Sequence, residues 1–388
     1  MVKNTILISF LIFLSGNLIF PQSIGKKIPI TGNTQQLNKF FNSLNESKSK
    51  KIRIAHYGDS IIWGDIITSD LREILQKKFG GQGAGFQSIV SDDIKVKMST
   101  IHTFSNEWDW ASLFTKNPNN YTLGIAGTVA KSGNNSWIQY AGNSKNPSTK
   151  SFKTVRLFYS NANNCQINYS FNNGSQQKIN LENGSNIKET VINNSSDANI
   201  VKLNFSNCGN TNFFGASLEN GNGIYVDNFP IRGNSGVSIA DLQKNILNDF
   251  NKFLNYKLII LNFGMNIASA EQTNYTWYKI KMIKVINYLK ETFPDASILL
   301  VSVGDKVIKK GTKFVTDPAI FKVLNEQKDI AKESGVAFWN MFEAMGGENS
   351  MPDWVNKNLA LMDYSHFSEK GGKVIAEMLV EALMNSKN

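Results

Sequence analysis

Both ends of the chain carry apolar residues at the spacings of helices and buried strands. Leu37, Phe40, Phe41 and Leu44 follow the i, i+3, i+4, i+7 repeat of an amphipathic helix. Further helices are predicted over residues 66–79, 277–289 and 374–383, and continuous apolar strands over 52–55, 258–261, 297–301 and 336–339. Strands that are apolar on both faces and alternate with helices indicate a parallel sheet covered on both sides. The predicted fold class is therefore α/β, with a doubly wound core.

The middle of the chain has a different pattern, in which apolar and polar residues alternate over short runs. Residues 155–159 and 201–205 are two such runs, and turn sequences such as Asn-Asn-Gly at 172–174 separate them. Closely spaced antiparallel strands predict a β-sandwich or jelly roll. We expect it to be inserted after the first helix of the core. The predicted boundaries are 33–87 for the first part of the core, 88–224 for the insert and 225–388 for the second part of the core.

The first residues have the order of a secretory signal peptide. Lys3 gives a short positive region, residues 6–20 are almost wholly apolar, and the chain turns polar at Pro21. The alternative, a retained membrane anchor, is disfavoured because the apolar run is short for a span of about 20 residues. We predict a signal peptide at 1–22, export to the periplasm or the cell exterior, and no membrane span after its removal.

The charge is positive, with 41 Lys+Arg against 31 Asp+Glu and a formal net charge of +10. Such a balance favours anionic surroundings, which include nucleic acid, cell-wall polymers and lipid headgroups. Because the sequence has no arginine-rich run and no basic–aromatic interleaving, we do not expect a nucleic-acid partner.

The cysteines and histidines argue against a metal centre. Only Cys165 and Cys208 are present, with three histidines, so a structural zinc site is not expected and no metal or other cofactor is predicted. In an exported protein the two cysteines either pair or stay as buried thiols, and the sequence leaves both open.

Candidate catalytic residues lie at two distant points of the chain. Ser60 follows an apolar strand and precedes a helix, at the strand end where α/β sheets bind ligands. A serine at such a turn is on its own ordinary. Asp363 stands three residues before His366, so the carboxylate can fix the imidazole while its other nitrogen faces a nucleophile. The remaining histidines lie in the first strand (His56) and in the predicted insert (His102), which makes His366 the preferred base.

Two further positions suit the stabilisation of an oxyanion. Gly236 closes the sequence Gly-Asn-Ser-Gly just after the predicted insert, where a residue without a side chain lets the backbone approach the site. Asn266 follows the apolar strand at 258–261 and can donate its side-chain amide. Either position alone is also compatible with ordinary turn chemistry.

The segments around Ser60, Gly236, Asn266 and Asp363–His366, in this order along the chain, resemble the four conserved motifs of the SGNH/GDSL hydrolase family. The resemblance covers residues 51–85 and 225 onward, and it implies a flavodoxin-like core. Carried over, it implies Ser60 as nucleophile, His366 as base and Asp363 as its partner. It also implies an oxyanion hole made of the Ser60 and Gly236 N–H groups and the Asn266 amide. Two positions depart from the family pattern, since Ile61 replaces the leucine of the GDSL name and Ile267 replaces a frequent aspartate after Asn266.

Other stretches are similar to a narrower group, the secreted peptidoglycan O-acetylesterase-like members with a carbohydrate-binding-like β-sandwich insert. These stretches are 56–60, the glycine-rich 79–86 and the aromatic-rich 338–347. The loop after residue 338 starts at a core strand and ends at the Asp363–His366 block, so it is expected to border the site. Its residues Gly346, Gly347 and Trp354 are possible substrate contacts, although a packed surface loop is an equal alternative.

Together these features predict a serine esterase that hydrolyses acetyl or other short acyl esters on a cell-wall or extracellular glycan through an acyl-enzyme. An O-acetyltransferase with the same triad is one alternative, because a sugar hydroxyl can replace water in the second step. An inert glycan-binding protein is the other. The sequence does not fix the oligomeric state, the acyl group or the sugar.

Overall fold

The computed structural model describes residues 25–115, 117–269 and 271–387. The signal peptide predicted at 1–22 lies outside these residues. Within the described ranges, no helix combines the length and the apolar character needed to cross a lipid bilayer.

The first part of the chain forms the beginning of an α/β core. Two short 3₁₀ helices accompany it, at Thr34–Leu37 and at Ser60–Asp65. The amphipathic helix predicted from Leu37, Phe40, Phe41 and Leu44 is present, as a 3₁₀ turn followed by a short α-helix. The elements are β1 (Thr31–Gly32), α1 (Asn38–Leu44), β2 (Lys51–Gly58), α2 (Thr68–Phe79) and β3 (Gln82–Gln87).

Among the described residues, strands are the only regular elements in the middle of the chain. They form two antiparallel sheets, one in the order β10-β9-β12-β7-β4 and the other in the order β11-β8-β13-β6-β5, with β3 pairing on β13. The strands are β4 (Thr100–Phe104), β5 (Trp108–Ser112), β6 (Thr128–Ser132), β7 (Trp137–Gly142), β8 (Phe152–Ser160), β9 (Gln166–Phe171), β10 (Gln177–Asn180), β11 (Lys188–Ala198), β12 (Ile200–Ser206) and β13 (Asn212–Asn220).

The last part of the chain returns to alternating strands and helices, and a 3₁₀ helix at Val237–Asp241 lies near its start. The elements are β14 (Gly223–Pro230), α3 (Lys244–Leu254), β15 (Tyr256–Asn262), α4 (Thr276–Thr292), β16 (Ser297–Val301), β17 (Val307–Lys310), β18 (Lys313–Thr316), α5 (Pro318–Ser334), β19 (Ala337–Trp339), α6 (Met341–Met345), α7 (Ser350–Asn356) and α8 (Glu369–Asn385).

The core sheet has the order β1-β19-β16-β15-β2-β14. All neighbours in it are parallel except the edge strand β1, which runs antiparallel to β19. The helices pack in groups, α2 against α8 and α4 against α3 and α5. The α/β class and the four predicted core strands are thus confirmed.

Strand β14 was not predicted as a core strand, because its sequence carries a charge where a buried parallel strand is usually apolar. Asp227 lies in the middle of β14 and is fully buried. Its carboxylate accepts hydrogen bonds from Arg53 Nη1 at 2.7 Å, from the Tyr256 hydroxyl at 2.6 Å and from the Phe86 N–H at 2.8 Å. These partners replace the water that the carboxylate loses on burial. Helices α3 and α5 and the β17–β18 hairpin were also missed.

The two antiparallel sheets enclose their own apolar cluster and also share buried residues with the core. Phe158 of β8 packs against Phe86 at 5.7 Å and against Phe250 of α3 at 5.8 Å between ring centroids. Cys165, just before β9, and Cys208, just after β12, form a disulfide, which resolves the open pairing. The predicted boundaries of the insert, 88 and 224, stay a prediction.

Candidate active site

Ser60 lies just beyond the carboxyl end of strand β2, which pairs with β15 on one side and with the edge strand β14 on the other. The strand ends at Gly58, and the side chain of Asp59 then caps the following 3₁₀ helix by accepting the Ile61 N–H at 3.0 Å. The second carboxylate oxygen of Asp59 accepts the Met265 N–H at 3.3 Å, which ties the loop after β15 to the Ser60 turn. Burial raises the pKa of Asp59 to about 6, although these hydrogen bonds act in the opposite direction.

His366 and Asp363 lie in the turn that precedes α8 and meet Ser60 across the cleft. His366 Nε2 is 2.8 Å from Ser60 Oγ, and His366 Nδ1 is 2.8 Å from Asp363 Oδ2. The two hydrogen bonds use both ring nitrogens, so the imidazole links the carboxylate to the hydroxyl. The structure therefore brings together three side chains that the sequence separates by 306 positions.

The hydrogen bonds around Asp363 favour an ionised carboxylate. Its Oδ1 accepts the N–H groups of Ser365 at 2.9 Å and of His366 at 3.0 Å. Partial burial raises the pKa of this carboxyl, but the hydrogen bonds from the His366 backbone and ring and from Ser365 outweigh burial, and the pKa lies below its usual value. An anionic Asp363 holds the proton of His366 on Nδ1 and leaves Nε2 free to accept one.

The turn that carries His366 is braced from the β17–β18 hairpin. Tyr364 adopts a left-handed backbone conformation with φ of 54°. Its ring stacks on Phe314 of β18 at 4.1 Å, and its carbonyl accepts the Val307 N–H at 3.4 Å. The hairpin, which the sequence did not predict, thus packs directly on the Asp363–His366 turn.

The other two histidines are sequestered. His56 in β2 and His102 in β4 are 1% and 3% exposed. Burial lowers the pKa of each to about 3, with help from Arg72 near His56 and Lys97 near His102. Both imidazoles are therefore neutral, and neither lines the cleft at Ser60.

Two of the three predicted oxyanion donors, the Gly236 N–H and the Asn266 amide, are held by one residue that the sequence did not single out. The Gly236 N–H donates to the side-chain oxygen of Asn234 at 2.8 Å, and the Asn266 amide donates to the Asn234 carbonyl at 3.1 Å. Gly236 needs to be a glycine, since its φ is 90° and a Cβ there would lie 2.8 Å from the Phe263 ring. A ligand oxygen must displace the Asn234 side chain to accept the Gly236 N–H, whereas the Asn266 amide has a second N–H besides the one that the Asn234 carbonyl accepts.

A cleft of about 310 Å³ opens at Ser60, Asp363 and His366. Its lining combines the three polar side chains with one cation, Arg232, and with apolar residues. The apolar lining consists of Ile61, Trp63, Ile66, Val96, Leu361 and Phe367. Few of these could be found from the sequence, because Arg232 lies in a turn and Val96 is distant from every motif.

The geometry does not support Gly346, Gly347 and Trp354 as substrate contacts. Gly346 and Gly347 close the C-terminal end of α6, whose carbonyls accept their N–H groups. Trp354 is 1% exposed, donates its Nε1–H to the Met345 carbonyl at 2.8 Å and packs on Phe367 at 5.4 Å. Trp354 therefore packs beneath the turn that carries His366, through its contact with Phe367, and does not line the cleft.

No metal-binding group of three or more His, Cys, Asp or Glu side chains occurs among the described residues. The polar groups that line the cleft are the hydroxyl, imidazole and carboxylate in a row, together with the Arg232 guanidinium. A row of this kind can activate a hydroxyl for attack on a carbonyl carbon.

Comparison with known proteins gives a likeness of fold. No protein-family model matches the sequence, and no curated protein matches it significantly. Among solved structures, the chain resembles a peptidoglycan O-acetylesterase with a TM-score of 0.73 and 23% identity, covering 92% of this chain and 98% of that one.

Two weaker likenesses are to enzymes that act on carbohydrate esters. A family two carbohydrate esterase from Cellvibrio japonicus gives a TM-score of 0.29 and 11% identity, covering 75% of this chain and 99% of that one. An acetyl xylan esterase gives a TM-score of 0.31 and 16% identity, covering 41% and 81%. Neither of these two superpositions is close enough to bear on the fold. The chain thus shares, over nearly its whole described length, the fold of a peptidoglycan O-acetylesterase.

Proposed function

We propose that the protein is an exported serine esterase that removes acetyl or another short acyl group from a cell-wall glycan. The observation that carries the proposal is the hydrogen-bonded row of Ser60, His366 and Asp363 at the mouth of a cleft. An imidazole placed between a hydroxyl and an ionised carboxylate is the arrangement that activates serine for acyl transfer.

The reaction follows from the proton positions. Ser60 Oγ attacks the ester carbonyl carbon while its proton moves to His366 Nε2. The tetrahedral intermediate then expels the sugar oxygen, which takes that proton, and the acyl group stays on Ser60. A water molecule then gives a proton to His366 and attacks the acyl carbon. The bond to Ser60 Oγ breaks, His366 returns the proton to Oγ, and the carboxylic acid leaves.

The negative oxygen of the intermediate requires donors. In the proposal these are the N–H groups of Ser60 and Gly236 and the side-chain amide of Asn266, with the substrate oxygen displacing the Asn234 side chain from the Gly236 N–H and accepting the second N–H of the Asn266 amide. Such donors stabilise the intermediate more than the ester, which is what accelerates the reaction.

The choice of a glycan substrate rests on the shared fold and on the antiparallel sheets. Trp137 of β7 is half-buried, with Lys202 Nζ 4.6 Å from its ring centroid, so its ring can contribute to a sugar-binding surface. Trp108 is unsuitable, because it is 7% exposed and packs on Phe205 at 4.9 Å. The disulfide between Cys165 and Cys208 agrees with an exported protein.

Substrate profiling tests this proposal. We expect acetate release from O-acetylated peptidoglycan to exceed release from acetylated xylan, and kcat/KM on p-nitrophenyl esters to fall from acetate to octanoate. A preference for octanoate would instead indicate a lipase. Transfer of acetyl to added glycan oligomers, without release of free acetate, would indicate a transferase.

A further inference from the structure

One arginine of the chain differs from the others in its surroundings. The sequence contains four arginines, against a much larger number of lysines. Three of them are buried in ion pairs, Arg53 with Asp227, Arg72 with Asp65 and Arg156 with Glu189. The fourth, Arg232, is exposed, and within the described ranges no salt bridge or side-chain hydrogen bond engages its guanidinium.

Arg232 is nevertheless held in place. Its Cζ lies 4.7 Å from the centroid of the Trp63 ring. Contact with an aromatic face orients a guanidinium and leaves the N–H groups at its edge available to a planar acceptor. The residue is also confined by the chain, since it lies two positions after the end of β14 and the preceding Ile231 N–H donates to the Gly58 carbonyl at 2.8 Å.

The Trp63 ring that supports Arg232 is itself fixed by its loop. Trp63 Nε1–H donates to Asp92 Oδ1 at 3.4 Å. The next residue, Gly64, has φ of 68°, its carbonyl accepts the Met98 N–H at 2.9 Å, and a Cβ on it would lie 2.8 Å from Val96. The segment that places Trp63 is therefore packed against the chain leading into the antiparallel sheets.

Arg232 and Trp63 line the same cleft as Ser60 and His366. The other ionised side chain on this wall, Asp363, already accepts three hydrogen bonds and is not free to pair with Arg232. A cation with an unused donor edge beside a hydroxyl nucleophile suits a substrate that carries a negative group close to its ester.

We propose that Arg232, supported by Trp63, binds a carboxylate of the acylated glycan and so selects acidic glycans over neutral ones. The carboxylate lies either on the acylated sugar itself or on a peptide attached to it. This inference rests on the proposed esterase function and adds the substrate class. Arg232 contacts substrate for recognition and takes no part in proton transfer.

The test compares two forms of one polymer, O-acetylated peptidoglycan as isolated and the same material with its carboxylates converted to amides. For the wild type, kcat/KM for acetate release should be about tenfold or more higher on the native form, as expected for a charge-assisted hydrogen bond. For Arg232→Gln the ratio between the two forms should fall to the smaller preference that long-range attraction alone provides, and Arg232→Lys should lie between. Lys328→Gln, which removes an exposed charge from α5, should keep the wild-type ratio.

A third substrate distinguishes the two sources of the carboxylate. O-acetylated glycan strands freed of peptide carry only the carboxylate of the sugar. If the wild type still prefers the native form of these strands over the amidated form, the carboxylate that Arg232 binds lies on the sugar. If that preference disappears, the carboxylate lies on the peptide. Equal ratios in the wild type and Arg232→Gln would overturn the carboxylate subsite while leaving the esterase intact. No acetate release by the wild type from any glycan would overturn the esterase function, and the subsite with it.

Discussion

At the scale of single residues, the orientation of one imidazole decides the chemistry of the cleft. Asp363 accepts two backbone N–H groups on Oδ1 and the His366 ring on Oδ2. Because the backbone donors fix the carboxylate, the ring proton stays on Nδ1 and Nε2 faces Ser60 as an acceptor.

Asp363→Asn should reverse this arrangement. The amide oxygen can still accept the two backbone N–H groups, so its NH₂ faces Nδ1, and the ring must then carry its proton on Nε2. We expect kcat on p-nitrophenyl acetate to fall by about 10³–10⁴-fold without loss of thermal stability. Asp353→Asn, which alters an exposed pair with Lys357, serves as the control and should retain full activity.

Asn266 offers a separate test of charge stabilisation. Asn266 is exposed, and among the described residues its only side-chain hydrogen bond goes to the Asn234 carbonyl, so its removal should cost little folding free energy. We expect Asn266→Ala to lower kcat about 10²–10³-fold with a small change in KM. A variant with unchanged kcat would show that another group occupies the oxyanion position.

The residues of the candidate site could be predicted from the sequence only where they belong to a recognisable motif. The spacing of Asp363 and His366 and the strand before Ser60 suffice to predict their approach. Asn234, Trp63 and Arg232 lie in turns whose geometry depends on tertiary contacts, and nothing local distinguishes them. Trp354 was a possible substrate contact because its loop begins and ends near the site, but the side chain is buried, which is the commoner use of an aromatic residue in such a loop.

At the scale of elements, a buried charge cluster joins the antiparallel sheets to the core. Glu219 of β13 pairs with Arg53 of β2, with Arg156 of β8 at 3.2 Å and with Lys51 at 2.5 Å. Burial raises the pKa of Glu219, but the three cations outweigh it and set the pKa at about 2. Folding thus stabilises the ionised form of the Glu219 side chain much more than its protonated form.

Glu219→Gln should therefore destabilise the fold by about 3–5 kcal/mol at pH 7, because two buried arginines lose a counter-charge. The depressed pKa stabilises the native state above the ordinary carboxyl value, and this contribution is lost as the pH falls toward 2. Urea unfolding at pH 7 and pH 3 measures both effects. Between these two pH values, Glu219→Gln should lose less unfolding free energy than the wild type does.

Glu46→Gln supplies the matched control for this experiment. Glu46 forms an exposed pair with Lys50, and its removal should change the unfolding free energy by less than about 1 kcal/mol. If Glu219→Gln is no less stable than Glu46→Gln, the cluster does not hold the sheets to the core.

The elements that the sequence predicted are those whose apolar pattern is continuous. Strands β15 and β16 are buried on both faces and read directly as parallel strands. Strand β14 escaped prediction because Asp227 interrupts its pattern, and the ion pair with Arg53 that compensates it is contributed by a strand 174 positions away. Local periodicity carries no signal for such a partner.

At the scale of the whole molecule, the net charge of +10 bears on the encounter with a polymer. If the substrate is an anionic wall glycan, association is accelerated by long-range attraction that salt screens. We expect kcat/KM on O-acetylated peptidoglycan to fall steeply between low and physiological ionic strength. Hydrolysis of neutral acetylated xylan should change little, and equal salt dependence of the two would argue against an anionic substrate.

The most direct measurement of the central claim is p-nitrophenyl acetate hydrolysis by the wild type, Ser60→Ala and Ser49→Ala. Ser49 is an exposed serine distant from the cleft, so it controls for the substitution itself. The account predicts that Ser60→Ala loses at least about 10³-fold in kcat with unchanged circular dichroism, whereas Ser49→Ala matches the wild type. A wild type without turnover, or a Ser60→Ala variant within tenfold of it, would contradict a mechanism in which Ser60 is the nucleophile.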